Sequence, residues 1–242
     1  MQDGSAASVG ARAGDEPLLR MISLIDRRAD ISLARFSEHW RTVHRDHALA
    51  LVPAGLMLGY VQNHRRDVLV AGLDAAGDGA PELWMDSADA PARLGLSPAY
   101  RNGAALDEPN FMEGGARMFL GQMVDRPGDE ARMAVVAATK LLLFYDVPSD
   151  LPADRLAAIW RERGLTLSAA TAVRRAELYV SLDPRDGARA CAEAIWWASD
   201  ADFQRAWDRR AQTFSPFVES SSLKGMLVDE LPVLWPKEAM FR

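Results

Sequence analysis

The segment Arg20-Met-Ile-Ser-Leu-Ile-Asp26 decides the fold, because Lys140-Leu-Leu-Leu-Phe-Tyr-Asp146 repeats its pattern 120 residues later. Further matches follow both segments in the same order along the chain. They are Asp30 with Asp150, Arg35 with Arg155, Trp40-Arg41 with Trp160-Arg161, Tyr60-Val61 with Tyr179-Val180, Leu83-Trp84 with Ile195-Trp196, and Gly121-Gln-Met-Val-Asp125 with Gly225-Met-Leu-Val-Asp229. Self-similarity at one long period indicates two copies of a single structural module.

Composition places the chain among ordinary globular proteins. Of its 242 residues, 49% are hydrophobic and 26% are charged, and the net charge is −6. An acidic chain without a cluster of lysines and arginines is not typical of nucleic-acid binding. No segment approaches the roughly 18 apolar residues that a membrane-spanning helix needs. Cys191 is the only cysteine, which excludes an intrachain disulfide and predicts a cytoplasmic protein.

Strand-length apolar runs and one amphipathic helix are predicted in the first copy. Ser32 is expected to cap a helix whose apolar residues recur at spacings of three and four. That stripe comprises Leu33, Phe36, Trp40, Val43 and His47. Pro53 and Gly55 are expected to end the helix, and Ser87 could cap a second one. Apolar runs predict strands at 18–25, 56–64, 81–85 and 116–124.

The second copy repeats this order of elements. Its first helix carries Leu156, Ile159 and Trp160, and Gly164 is expected to end it. A second helix is predicted over 200–213. Strands are predicted at 140–145, 176–182, 192–198 and 224–231. Each copy therefore reads β-α-β-β-α-β, which is the order of the ferredoxin-like fold.

The fold class predicted from these elements is α+β. A ferredoxin-like sheet carries helices on one face only, so its other apolar face needs a partner. Two copies in one chain can pack those faces together as an intrachain α+β barrel, a pseudo-dimer with helices outside and a cavity between the sheets. The predicted segments are a flexible tail at 1–17, a functional repeat at 18–126, a linker at 127–137 and a degenerate repeat at 138–235.

Motifs along the first copy resemble those of the EthD family over about residues 18–125. In order, they are Phe36-x-x-x-Trp40-x-x-x-His44, Pro53-Ala-Gly55, Tyr60-Val-Gln-Asn-His64, Glu82-Leu-Trp84, Ser97-Pro98, Asp107-Glu108 and Phe111. The resemblance implies a dimeric α+β barrel, which two chains normally assemble and which two copies in one chain would supply here. Similar barrels include cofactor-free polyketide cyclases, muconolactone isomerases, quinone-forming monooxygenases and haem proteins. The resemblance to the EthD family therefore implies a fold and a pocket more directly than a reaction.

The first copy contains all four histidines of the chain, so the candidate catalytic residues are expected there. His44 is the motif histidine, and histidine can exchange protons near neutral pH. Because Gly164 takes its place in the second copy, we expect His44 at the end of its helix, outside the packed core and beside the barrel mouth. We expect His39 to be exposed and His47 to lie on the apolar stripe.

Alternation along the second strand places Tyr60, Gln62 and His64 on one face and Asn63 on the other. If the first three residues face the cavity, they line it with hydrogen-bond donors. The predicted catalytic residues are His44, His64 and Tyr60. The predicted substrate-binding residues are Trp40, His47, Gln62, Asn63, Trp84, Asp107 and Phe111.

Other polar residues could support the predicted catalytic residues. Asp86, Asp107 and Glu108 could orient a histidine, as a carboxylate does in a catalytic triad. Tyr100 or Tyr145 could donate a hydrogen bond to a substrate carbonyl. His44 and His47 share a helical face and could bind a metal ion with a third ligand from Asp46, His64, Asp86 or Asp107. A histidine pair on a helix without an HExxH motif or a cysteine set is a weak zinc signal, so no metal site is predicted.

The function predicted is a cofactor-independent acid–base enzyme: a lyase, dehydratase, isomerase or cyclase. Its substrate would be a small apolar or aromatic carbonyl compound held in the barrel cavity. The alternatives are a cofactor-free monooxygenase, or a non-catalytic protein that binds a ligand or, through His64, haem. The expected partner is a small molecule, and the protein is expected to be a monomer or a homodimer.

Overall fold

A computed structural model describes residues 19–125, 139–168, 173–183, 188–210 and 223–235, which include nine strands and seven α-helices. The strands are β1 Leu19–Leu24, β2 Gly59–Arg65, β3 Asp74–Ala75, β4 Gly79–Met85, β5 Arg117–Asp125, β6 Thr139–Pro148, β7 Val173–Ser181, β8 Ala188–Trp197 and β9 Lys224–Leu234. The α-helices are α1 Leu33–His39, α2 Arg45–Leu49, α3 Ala90–Leu96, α4 Pro98–Arg101, α5 Ala104–Asp107, α6 Ala153–Ser168 and α7 Asp200–Arg210.

Eight of these strands close into an antiparallel barrel. Their order is β2-β4-β1-β5-β7-β8-β6-β9, and β9 pairs again with β2 to complete the ring. The short β3 pairs with β9 in parallel, outside the ring. The first four strands of the ring come from the first half of the chain and the last four from the second half, in the same internal order. The predicted α+β barrel within one chain is therefore confirmed.

Contacts between non-neighbouring strands show which side chains point into the barrel. Lys140 on β6 reaches Glu82 on β4 with a distance of 2.8 Å between Nζ and Oε2, although these strands do not pair. Arg20 on β1 lies 3.9 Å from Glu177 on β7 across the same interior. Long side chains thus occupy the inside of the barrel, where the sequence led us to expect a cavity. The prediction that the candidate site lies in a cavity inside the barrel is therefore wrong. The cavity of the candidate site lies outside the barrel wall.

Ion pairs inside the barrel join side chains of opposite charge. In the described part of the chain they involve the cations Arg20, Lys140 and Arg175 and the anions Glu82, Glu177 and Glu230. Lys140 is fully buried and also contacts Glu230 at 2.7 Å. The guanidinium of Arg20 lies 3.6 Å from the ring centroid of Trp84. Burial alone would raise the pKa of Glu82, but Lys140 and Arg20 outweigh it and lower that pKa to about 2. Glu82 is therefore ionised at neutral pH despite its burial.

The helix that carries His44 differs from the predicted one in its middle. Ser32 caps its start as expected, since its hydroxyl accepts a hydrogen bond from the backbone N–H of Arg35. Between α1 and α2 the backbone forms a π-helical segment, Trp40–His44, with wider turns than an α-helix. The wider turns bring residues four apart onto the buried face, which comprises Phe36, Trp40, His44 and Ala48. Val43, predicted to be buried, is 45% exposed.

Two predicted helix ends are also wrong. The helix that contains His44 continues to Leu49, so His44 does not lie at its end. In the second half, α6 continues through Gly164 to Ser168. A glycine inside a helix costs about 1 kcal/mol relative to alanine, which lowers its stability without ending it. Gly55, with a φ of 66°, does follow the first helical region as predicted.

The predicted tail at 1–17 and linker at 127–137 lie outside the described residues. The described helices are too short or too polar to cross a lipid bilayer.

Replacing Lys140 with alanine tests whether the barrel depends on its buried charges. Lys140→Ala leaves Glu82 and Glu230 without their shared cation, and loss of one partner of a buried ion pair typically costs about 3–5 kcal/mol. We expect a decrease of this size in the free energy of unfolding, measured by chemical denaturation. The matched control is Lys224→Ala on β9, where the side chain is exposed, and a change within about 0.5 kcal/mol is expected. Equal effects of the two substitutions would contradict a special role for Lys140.

Candidate active site

A cavity of about 170 Å³ lies between the outer face of the first half of the barrel and the helices that cover it. The residues that line it fall between Met21 and Met118, and none of the described residues of the second half is among them. Most of the lining is apolar. The polar side chains that reach it include His44, Tyr60, Tyr100 and Glu108. The candidate chemistry is therefore confined to one half of a barrel that both halves build.

His44 and Asp107 form a hydrogen-bonded pair at the cavity wall. The distance between His44 Nδ1 and Asp107 Oδ2 is 3.0 Å. His44 is only 9% exposed, although we expected it outside the packed core. The π-helical segment is the cause, because it rotates His44 towards the sheet. Active sites frequently contain such segments.

Three donors converge on the carboxylate of Asp107. Besides His44, the ring nitrogen Nε2 of His39 lies 2.9 Å from Oδ1, and the side-chain amide of Asn110 donates to the same oxygen at 3.1 Å. Burial would raise the pKa of Asp107, but these hydrogen bonds outweigh it and lower that pKa. His39, predicted to be exposed, is half-buried because it takes part in this cluster.

The charge of Asp107 determines the tautomer of His44. An ionised carboxylate only accepts hydrogen bonds, so Nδ1 of His44 must carry the proton. Burial lowers the pKa of His44, and the charge of Asp107 compensates only in part. The imidazole is therefore neutral at pH 7. Its Nε2 retains a lone pair and has no hydrogen-bond partner among the described residues. This arrangement can accept a proton from a molecule in the cavity.

Tyr60 supplies the second polar group of the cavity. Its hydroxyl oxygen accepts hydrogen bonds from Trp40 Nε1 at 2.9 Å and from the side-chain amide of Gln62 at 3.1 Å. The hydroxyl proton is not used in either bond, so it remains available to a ligand. Burial raises the pKa of Tyr60 to about 12, which keeps the phenol protonated. Gln62 also donates to the backbone oxygen of Trp40, and it thereby supports the π-helical segment.

Close packing holds Trp40 in place on the sheet. A Cβ atom at Gly79 would lie 2.5 Å from the Trp40 ring, so only glycine allows the ring to lie this close to β4. The ring also contacts Phe36 and His64, with centroids 5.7 and 4.4 Å away. This packing positions Trp40 to donate to Tyr60.

His64 lies behind the cavity wall rather than in it. Tyr60, Gln62 and His64 do share one face of β2 as predicted, but that face points to the helices, not to the barrel interior. His64 is 3% exposed, its Nε2 lies 3.0 Å from Gln62 Oε1, and its Nδ1 has no partner among the described residues. Burial lowers its pKa to about 4. His64 therefore acts on the cavity only through Gln62, and the catalytic role predicted for it lacks direct access.

The remaining predicted site residues divide between two environments. Trp40 and Phe111 line the cavity, and Asp107 lies just behind it. Asn63 and Trp84 instead point into the barrel, where Asn63 donates to Glu82 at 3.1 Å. The reason is strand alternation, which assigns them to the opposite face from Tyr60.

Other candidates lie apart from the cavity. His47 is half-buried next to Gly103 and does not line it. Asp86 bonds to Arg93 at the surface, and Tyr145 donates to Glu193 in the second half. The described residues contain no group of three or more histidine, cysteine, aspartate and glutamate side chains arranged to hold a metal ion.

Sequence reasoning missed two features of the cavity. Four methionines line it: Met21, Met57, Met112 and Met118. Met118 is 55% exposed, which marks the open side. Glu108 was considered only as a partner of a histidine and Tyr100 only as a donor to the substrate, whereas the two form a hydrogen-bonded pair within the lining. Alternation of Met21, Ser23 and Ile25 along β1 could have indicated the first feature, but the second depends on a short irregular segment.

Comparison with known proteins identifies the region that carries this cavity. The EthD domain model matches residues 28–115. The predicted EthD resemblance is therefore confirmed for these residues, which include His44, Tyr60 and Asp107. No curated protein matches the chain in sequence.

Several solved structures share the fold at low sequence identity. An anthrone oxidase-like protein is 10% identical, with 91% of this chain and 95% of its own covered and a TM-score of 0.57. A mutant chlorite dismutase from Candidatus Nitrospira defluvii is 12% identical, with coverages of 90% and 93% and a TM-score of 0.52. A provisionally named monooxygenase from Lactobacillus acidophilus NCFM is 11% identical, with coverages of 88% and 93% and a TM-score of 0.51. Such similarity shows the α+β barrel fold.

The buried state of His64 predicts a pH dependence of stability. The unfolded chain binds a proton on this residue below its ordinary pKa of 6.5, whereas the folded protein does so only near 4. The free energy of unfolding should therefore fall as the pH decreases from 6.5 to 4, by an amount on the order of 3 kcal/mol. We expect His64→Asn to remove this part of the decrease in urea unfolding. An identical pH dependence in wild type and variant would contradict the assignment.

Proposed function

We propose that the protein is an acid–base enzyme acting on a small, neutral, apolar or aromatic carbonyl compound in the cavity of its first half. The observation that carries this proposal is the His44–Asp107 pair, which presents a neutral imidazole to an apolar cavity. The reaction class is that of a lyase, dehydratase, isomerase or cyclase. All of these begin with removal of an acidic C–H proton.

The cavity lining supports a neutral substrate. No lysine or arginine is among the described lining residues, so a phosphate or carboxylate group would enter without a counter-charge. The four methionines supply polarisable and adaptable contacts that suit an aromatic ring. Ligand sites commonly combine such apolar walls with a few fixed polar groups.

His44 would act as the general base. Its Nε2 lone pair takes the proton from the carbon next to the substrate carbonyl, and its Nδ1–H remains bonded to Asp107. Asp107 holds the ring in one tautomer and stabilises the positive charge that develops on it, as in a catalytic triad. One well-placed acid or base typically contributes about 10²–10⁴-fold in rate.

Tyr60 would stabilise the enolate that this proton transfer produces. Its free hydroxyl proton can be donated to the carbonyl oxygen as negative charge develops there. Trp40 and Gln62 fix the orientation of the phenol, so little reorganisation is needed during the reaction. Preorganised donors in an apolar site are among the largest contributions to catalysis.

The chemistry proposed needs no cofactor. The fold resemblance also includes haem proteins, which need an axial ligand open to a large cavity. His64, the axial ligand considered from the sequence, does not fit this role. It is covered by Trp40 and does not line the cavity. We therefore propose no step that involves haem.

We also propose how the duplicated chain serves this site. Both halves arrange their strands in the order second, third, first and fourth, which is the ferredoxin-like order. A tandem pair of ferredoxin-like copies accounts for this. The first copy would hold the site, and the second would complete the barrel that supports it.

A second candidate is a cofactor-free monooxygenase, which two of the structural neighbours favour by their names. An enolate formed by His44 could react with molecular oxygen instead of being reprotonated. Anthrone is a suitable probe, since it is a neutral tricyclic ketone. Oxygen consumption with anthrone that depends on His44 would favour this candidate, and proton exchange without oxygen uptake would favour the first.

Incorporation of deuterium from D₂O into 2-tetralone, followed by NMR, tests the proposed function. We expect the wild type to accelerate exchange at the acidic carbon. His44→Asn keeps a side-chain amide that can donate to Asp107 but removes the base, so exchange should slow by about 100-fold or more. Tyr60→Phe should slow it by about tenfold or more, because the oxyanion loses its donor.

The matched control is His47→Asn, a half-buried histidine on the same helix that does not line the cavity. It should keep exchange within about twofold of wild type, like other substitutions outside the site. Equal loss in both histidine variants, or unchanged exchange in His44→Asn, would contradict the assignment of His44 as the base.

A further inference from the structure

Glu108 places a carboxyl group in the cavity. This group takes no part in the proton transfer proposed for the base or in the hydrogen bonds of that base. It lies on a 3₁₀-helical turn, Glu108–Asn110, directly after Asp107. The two consecutive carboxyl groups thus have different surroundings. Asp107 contacts His44, and Glu108 lines the cavity. Tyr100 donates a hydrogen bond to Glu108 Oε1 at 2.6 Å.

The surroundings of Glu108 differ from those of Asp107 in one respect. No arginine, lysine or histidine forms an ion pair with Glu108 within the described part of the chain, and its one side-chain partner there is Tyr100. Tyr100 itself lines the cavity. Its backbone N–H donates a hydrogen bond to the hydroxyl of Ser97, which fixes its position. A carboxyl group half-buried without a cation is stabilised in its protonated form.

We infer that Glu108 is a second catalytic residue, which delivers a proton to an oxygen atom of the substrate while His44 removes one from carbon. This inference rests on the proposed function. It narrows the substrate class to neutral carbonyl compounds with a hydroxyl group on the carbon β to the carbonyl. The reaction would be loss of water.

The step is balanced in atoms and charge. His44 Nε2 takes the proton from the α-carbon, and the electron pair of that C–H bond forms the new carbon–carbon double bond. The bond between the β-carbon and the hydroxyl oxygen breaks, and Glu108 protonates the departing oxygen to give water. His44 is then protonated and Glu108 ionised. Proton exchange with solvent restores both groups, so no oxidant or reductant is required.

The ionisation of Glu108 agrees with this role. Burial raises its pKa, the negative charge of Asp107 raises it further, and the hydrogen bond from Tyr100 opposes both effects. The acid is active when protonated and the base His44 when neutral, so dehydration should show a bell-shaped dependence on pH. Removing the Tyr100 hydroxyl removes a donor to the carboxylate. Tyr100→Phe should therefore shift the alkaline limb to higher pH.

Two probe reactions separate the acid from the base. Deuterium exchange into 2-tetralone needs the base, whereas conversion of 4-hydroxy-4-phenylbutan-2-one into benzylideneacetone needs the acid as well. We expect Glu108→Gln to slow dehydration by about 100-fold and to slow exchange by a much smaller factor. His44→Asn should slow both reactions. The control Glu113→Gln changes an exposed glutamate nearby and should alter neither.

The outcomes distinguish the two proposals. Dehydration unaffected by Glu108→Gln, or both reactions slowed equally, would overturn the role of Glu108 and leave that of His44 intact. Exchange by wild type without dehydration would overturn it too. If His44→Asn changed neither reaction, the proposed function itself would fail.

A measurement without substrate checks the protonation of Glu108 independently. In infrared difference spectra between wild type and Glu108→Gln, recorded at a series of pH values, the carbonyl band of the protonated acid should persist to higher pH than that of a glutamate in a short unstructured peptide, because burial raises the pKa of Glu108. A band that disappears at the same pH as in the peptide would overturn the inference whatever the activity.

Discussion

A network of buried and half-buried charges inside the barrel links the two halves of the chain, and it constrains how the halves can pack. Lys140 from the second half contacts Glu82 from the first, and Arg20 from the first approaches Glu177 from the second. Each half also contains ion pairs of its own, Arg20 with Glu82 and Arg175 with Glu177, and the contacts between the halves add to them. Removing a charge from water is costly unless a partner compensates, so the network favours one relative arrangement of the halves. The strand pairings β5–β7 and β2–β9 then close the barrel around it.

A filled barrel explains why the candidate site lies outside it. With charged and aromatic side chains inside, the cavity lined by His44 and Tyr60 lies between the first-half sheet and its helices. Gly79 allows Trp40 to pack directly on β4, and the π-helical segment that starts at Trp40 rotates His44 towards the sheet. The rigid barrel therefore serves as the platform, and local irregularity in the helix places the base.

Periodicity in the sequence predicted the barrel, the tandem order of strands and the shared face of Tyr60, Gln62 and His64. It did not predict which side of the barrel that face is on, because both sides of these strands are buried and alternation is symmetric between them. A π-helical turn has no pattern of its own, so an α-helical period misassigned Val43. His44 was misplaced for another reason, because Gly164 in the second copy does not end its helix. The contact of Asp107 with His44 was considered from the sequence, but the role of Glu108 emerges only from the turn that separates the two carboxylates.

The central claim is that small molecules bind between the barrel and the helices of the first half, not inside the barrel. A crystal structure of the protein with 2-naphthol tests this most directly. We predict density beside His44, with the naphthol oxygen within hydrogen-bond distance of the Tyr60 hydroxyl and the rings against the methionines. Density inside the barrel next to Arg20 and Lys140, or under the helices of the second half, would contradict the account.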